Sequence, residues 1–96
     1  KGIYKYSVSE QVLETGQDKK YYYNLLTQSI VSLEVIFNQI IVKCYTGTAQ
    51  AACAGLDAMN MKEIAGTVAG DDTILIITRS NDDAEFIAEE IRKIIR

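Results

Sequence analysis

Apolar residues along this chain follow two rhythms, the period of two that marks strands and the longer period that marks helices. Tyr4, Tyr6 and Val8 alternate with Lys5 and Ser7, which predicts a short half-exposed strand or arm. Glu10 to Lys20 is polar apart from Val12 and Leu13 and reads as a loop or a frayed helix start. Tyr21 to Gln28 predicts a helix with Tyr22, Leu25 and Leu26 on one side. Ser29 to Glu34 and Gln39 to Tyr45 are rich in Val, Ile and Leu and predict two strands. The stretch Val35-Ile36-Phe37-Asn38 between them reads as the hairpin turn, although only Asn38 is a favourable turn residue.

Gly47 then introduces a helix, with Thr48 as its N-cap, running from Ala49 to Met59. Glu63 to Ala69 and Thr73 to Thr78 predict two more strands, joined through Gly70-Asp71-Asp72. Ser80 and Asp83 resemble a capping box that opens the last helix, where Ala84, Ile87, Ile91 and Ile94 recur at helical spacing. Acids lie early in that helix (Asp82, Asp83, Glu85) and bases late (Arg92, Lys93, Arg96), which suits its macrodipole. The order is a helix followed by ββαββα. It predicts an α+β fold, a two-layer sandwich with helices on one face of a four-stranded, mainly antiparallel sheet.

Composition narrows the function. A chain of 96 residues makes one compact domain, and 48% hydrophobic residues excludes a disordered tail. A net charge of −3 gives no clustered positive footprint for nucleic-acid phosphates. There is no His, so the commonest general base and metal ligand is missing. Cys44 and Cys53 match no zinc or redox spacing and read as free buried thiols of a reducing, cytoplasmic environment. No apolar run approaches the roughly 18 residues of a membrane span, and no signal peptide is visible. The chain begins at Lys1 and reads as a piece of a longer protein.

The candidate chemistry lies in two places. In Gly66-Thr67-Val68-Ala69-Gly70-Asp71-Asp72-Thr73, adjacent carboxylates sit at a junction between two strands. Held side by side they repel, so the turn is either well solvated or prepared for a cation, and a planar guanidinium fits carboxylates best. The second place is the helix from Ala49. Its core stripe is Ala49, Ala52, Leu56 and Met59, and its far side, Ala51, Gly55 and Ala58, is small rather than charged. A helix of this kind is covered on more than one side, and the second cover is expected to be another subunit. Gln50 and Asp57 are two turns apart on one flank, with only Cys53 and Ala54 between them. That is a trough with an amide and helix N–H groups at one end and a carboxylate at the other, suited to the two charges of an amino acid. The plainer reading makes Asp57 a solvated helix residue and Gln50 a helix-start accessory. An enzyme built on Asp71 and Asp72 lacks a nucleophile beside a base and a third carboxylate at metal-ligand spacing, so no catalysis, metal or cofactor is expected.

Thr46-Gly47-Thr48-Ala49-Gln50, Leu56-Asp57 and Glu63-Ile64-Ala65-Gly66-Thr67-Val68-Ala69-Gly70-Asp71-Asp72-Thr73-Ile74 together resemble the C-terminal domain of bacterial arginine repressors. The resemblance spans Ser29 to Ile95. It implies trimers that stack in pairs into a hexamer, with L-arginine bound between the trimers as co-repressor. Asp71 takes the place of the aspartate that grips the guanidinium from the opposing trimer, and Asp72 assists it. Gln50 matches the polar residue at the start of the binding helix, and Asp57 the aspartate that meets the α-amino group. Thr48, Ala49 and Ala51 would bring backbone groups to the α-carboxylate. Residues 1–28 are then an arm and helix leading from a DNA-binding domain absent from this chain, and residues 29–96 the arginine-binding oligomerisation domain. Operator DNA would be met only through that absent domain. The chain departs from the family in having Thr46 where Pro is frequent and Cys53 facing the trough. These departures leave open the alternative of an oligomerisation module that no longer senses arginine.

Overall fold

The computed structural model describes residues 16–96. The arm expected over Tyr4 to Val8 and the start of the Glu10 to Lys20 segment lie outside them. Within them the order is α1 (Gly16–Ser29), β1 (Ile30–Ile36), β2 (Gln39–Cys44), α2 (Ala49–Ala58), β3 (Ile64–Ala69), β4 (Thr73–Thr78) and α3 (Asn81–Ile95). The strands form one sheet in the order β1-β2-β4-β3, with every neighbouring pair antiparallel. This is the α+β sandwich the pattern predicts.

Strand alternation assigns the two faces. Ile40, Val42 and Cys44 of β2, with Ile74 and Ile76 of β4, point into the buried core. There they meet Leu26 of α1, Ala49, Ala52 and Leu56 of α2, and Ala84, Ile87, Ala88 and Ile91 of α3. Their cross-strand alternates turn the other way: Glu34, Ile41, Leu75 and Val68 form one row, and Ile36, Gln39 and Ile77 another. Val68 is 66% exposed and Ile36 39% exposed, so this outer face carries aliphatic side chains that none of the described helices covers.

Four local expectations change. First, helix α1 begins at Gly16, earlier than the apolar pattern indicates, because Lys19 and Lys20 continue its solvent face, where periodicity leaves no mark. Second, Val35 and Ile36 belong to β1, which leaves Phe37-Asn38 as a two-residue hairpin loop closed by the Ile36 and Gln39 pair. Phe37 adopts φ 56°, a left-handed value that a bulky residue rarely takes. Asn38 secures the turn from the side: its Nδ2 donates to the Thr78 carbonyl at 3.2 Å, and the Thr78 N–H donates back to the Asn38 carbonyl at 2.9 Å. Third, Thr48 occupies the N-cap position of α2 but does not cap it with its side chain, since its hydroxyl donates to the Tyr45 carbonyl at 2.7 Å. Ser80, by contrast, caps α3 as predicted, its Oγ accepting the Asp83 N–H at 3.0 Å.

The fourth change concerns the small side of α2. Gly55 and Ala58 are covered by this chain itself. A Cβ at Gly55 would stand 3.5 Å from Leu25 Cδ2 and 3.6 Å from Tyr22 Cδ1, both on α1. The cover over Gly55 is therefore α1, a weakly patterned helix upstream, where the pattern of α2 alone predicted another subunit. Only Ala51 and Ala54 on that helix's small surface stay exposed.

Candidate functional site

Between α2 and β3 runs an open groove of about 390 Å³, lined by Gln50, Cys53, Ala54 and Asp57 from the helix and by Thr67, Val68 and Ala69 from the strand. The helical wall is the trough expected from spacing alone. Small residues at 53 and 54 keep it shallow, and Gln50 and Asp57 stand about 10 Å apart along the axis at 1.5 Å per residue. The strand wall is what spacing within the helix did not reveal. Its one sequence signal is Thr67, a hydroxyl on a strand position that faces the helices.

Thr67 Oγ1 donates to Asp57 Oδ1 at 2.7 Å across the groove. The same hydroxyl lies near enough to Cys53 to act on its thiol. Burial pushes the Cys53 thiol above its ordinary pKa, the Thr67 contact opposes that, and the Asp57 charge adds to the rise. Cys53 is thus a neutral, buried group on the groove floor rather than a nucleophile.

Asp71 and Asp72 do not line the groove. They lie exposed in the turn between β3 and β4. Their main chain nonetheless joins the acidic turn to the start of α2. The Asp71 carbonyl accepts N–H groups from Gly47 at 3.1 Å and Ala49 at 3.2 Å, and the Asp72 carbonyl accepts that of Cys44 at 2.7 Å. Gly47, at φ 84°, makes the bend that turns these amides toward the carbonyl. The two carboxylates differ. Thr73 Oγ1 donates to Asp72 Oδ1 at 2.9 Å and accepts from Lys43 Nζ at 3.0 Å, so Asp72 has a cation one hydroxyl away. The Asp71 carboxylate has no hydrogen-bond partner among the described residues.

Of the other predicted residues, Ala49 is fully buried and contributes its N–H to Asp71, Ala51 is exposed, and Thr48 is half-buried at the helix entrance. Gln50, Cys53, Ala54 and Asp57 are therefore gathered in one groove. The acidic turn is anchored at the same end of α2 as Gln50, with its side chains directed to solvent. Among the described residues no group of three or more metal-ligating side chains gathers anywhere. Nor is any described helix long and apolar enough to cross a membrane.

The class this defines is a small α+β domain with a groove on its helical side and, among the described residues, no catalytic constellation. The chain belongs to the family described as "Arginine repressor, C-terminal domain", which it matches over residues 26–93. It is 39% identical over 95 residues to a protein named Arginine repressor from Clostridium tetani, covering 99% of this chain and 61% of that protein. It is 39% identical over 94 residues to an Arginine repressor of Caldicellulosiruptor saccharolyticus (98% and 60% covered), and 36% identical over 95 residues to one of Alkaliphilus oremlandii (99% and 62% covered). The chain thus spans about three fifths of the length of the curated relatives it matches. A family of repressors agrees with the expectation that this is not an enzyme.

Proposed function

We propose that this chain is the L-arginine-sensing and oligomerisation part of a cytoplasmic transcriptional regulator of arginine metabolism. The observation that carries the reading is the groove between α2 and β3, with Gln50 of the first turn of α2 and Asp57 two turns further on both lining it. Helix N–H groups take the ligand's α-carboxylate, and Asp57 takes its α-ammonium. Asp71, exposed and without a hydrogen-bond partner among the described residues, supplies the carboxylate for a guanidinium held at a subunit seam, with Asp72 beside it. The uncovered aliphatic face of the sheet, including Ile41, Leu75 and Ile77, is the surface on which copies of the chain assemble. In a pair of stacked trimers, facing acidic turns repel until arginine neutralises them, so ligand and assembly are linked by mass action. Operator DNA is contacted by a part of the regulator outside this chain.

Two or three charge-assisted hydrogen bonds at about 1.5–3 kcal/mol each support micromolar-range affinity after ordering costs. Light scattering and titration calorimetry with L-arginine test the reading. The expected result is binding heat and a shift from trimer to hexamer, both lost in Asp71→Asn. Unchanged arginine affinity in that variant removes Asp71 from the site. The second reading, an assembly module without sensing, is motivated by Cys53 on the groove floor. Its signature is a stable oligomer with no binding heat.

A further inference from the structure

We propose that the exposed stripe of α3 is a contact for α3 of a second copy of this chain, the two helices lying antiparallel about a two-fold axis. Helix α3 lines neither the groove nor the outer face of the sheet. The inference is therefore independent of the arginine-binding reading.

Ala84, Ile87, Ala88 and Ile91 turn one side of α3 to the core. On the other side Asp82, Glu85, Phe86, Glu89, Lys93 and Arg96 are exposed, and helical periodicity gathers them within about 100° of one another. Along the helix the stripe opens with carboxylates, carries one aromatic ring and closes with two cations. The macrodipole favours that order only in the terminal turns, and it gives no reason for Phe86 to stand 48% exposed among acids. Within one chain the charges are only partly matched. Arg92 donates to Glu89 and Lys93 to Glu90, each at 3.2 Å, whereas Asp82, Glu85 and Arg96 form no ion pair among the described residues. A second α3 laid antiparallel across Glu89 supplies what is missing. Asp82 then faces the partner's Arg96, Glu85 faces the partner's Lys93, and the Phe86 ring faces the partner's Arg92 guanidinium, a cation–π pairing. Two-fold symmetry makes each pairing twice. The Glu89 carboxylates that approach at the axis are each already held by their own Arg92. A parallel arrangement would set like charge against like along the whole stripe, so the charge pattern selects one orientation. A contact of two helices is small, and its association is weak and salt-sensitive.

Sedimentation velocity of the full chain over a concentration series, without L-arginine, tests the inference. Wild type is expected to show an association step that at least doubles its mass and that high salt suppresses. Glu85→Lys and Lys93→Glu, made singly, each turn two attractive pairs into repulsive ones and should weaken that step at least about tenfold. The double variant Glu85→Lys, Lys93→Glu puts the pairs back in reverse and should recover it. Phe86→Ala should weaken it about tenfold, since two ring contacts are lost. All three positions are exposed, and a melting curve for each variant checks that it folds. An association step that survives both single reversals overturns the inference, because assembly then runs through another surface such as the outer face of the sheet. So does a loss that the double variant fails to recover. A wild type with no such step also overturns it, and leaves the stripe to solvent or to a different protein.

Discussion

The main-chain carbonyl of Asp71 accepts the N–H of Ala49, the first residue of α2, at 3.2 Å. This bond, with its companion from Gly47, makes the acidic turn and the helix entrance one mechanical piece. A displacement at either is passed to the other through backbone, whatever the side chains do. It also takes one of the helix's unsatisfied amides out of play, so the anion-attracting capacity of α2 rests on the next amides in its first turn.

Gly47→Ala tests that joint. A Cβ there meets no atom within 4 Å, so the cost comes from the φ of 84° alone. We expect about 1–2 kcal/mol of destabilisation, a Tm lower by roughly 4–16 °C for a domain of this size, and weaker ligand-dependent assembly. A melting curve that matches wild type removes the strained bend from the account.

Gly55 separates two effects at the α1 and α2 contact. Gly55→Ala places a methyl at ordinary contact distance, 3.5 Å from Leu25, and improves helix propensity. It should leave stability unchanged or raise it by up to about 1 kcal/mol. Gly55→Val adds branches that the Tyr22, Leu25 and Leu26 surface has no room for, and should cost about 1–3 kcal/mol. Chemical denaturation of the two variants checks the sign of each.

Asp71→Asn and Asp72→Asn should both melt close to wild type, within about 0.5 kcal/mol, because both side chains are exposed. Their ligand responses should differ. Asp72 is already engaged by Thr73 and lies near Lys43, whereas Asp71 is not engaged by any described side chain. Loss of arginine-dependent assembly is therefore expected to be greater for Asp71→Asn. Light scattering across an arginine series decides, and equal loss in the two variants contradicts the distinction drawn between them.

The thiols give a pH dependence. Burial pushes both Cys44 and Cys53 above the usual thiol value of 9.0, with Asp72 and Asp57 respectively adding to the rise. A raised folded value means that folding favours the neutral thiol. That contribution is complete below the pH at which the unfolded thiols ionise, and it is lost as pH rises through the folded values. Melting temperature should therefore fall above about pH 9 more steeply in wild type than in a Cys44→Ala, Cys53→Ala double variant. Parallel curves would show that the buried thiols play no part.

The hydrophobic rhythm alone carried the strands, the packing stripe of α3 and the Gln50 and Asp57 flank of α2, because each depends on spacing within one element. Helix and strand periods are local properties, readable without knowing any neighbour. What faces what is not local. That α1 covers Gly55, that Thr67 reaches Asp57 across the groove, and that the Asp71 carbonyl receives Ala49 all join residues of different elements. The last of these uses backbone atoms, which every residue shares and no residue type announces. Phe37 shows the same limit from the other side: its left-handed backbone follows from closing a tight hairpin between paired strands, against the preference of the residue itself.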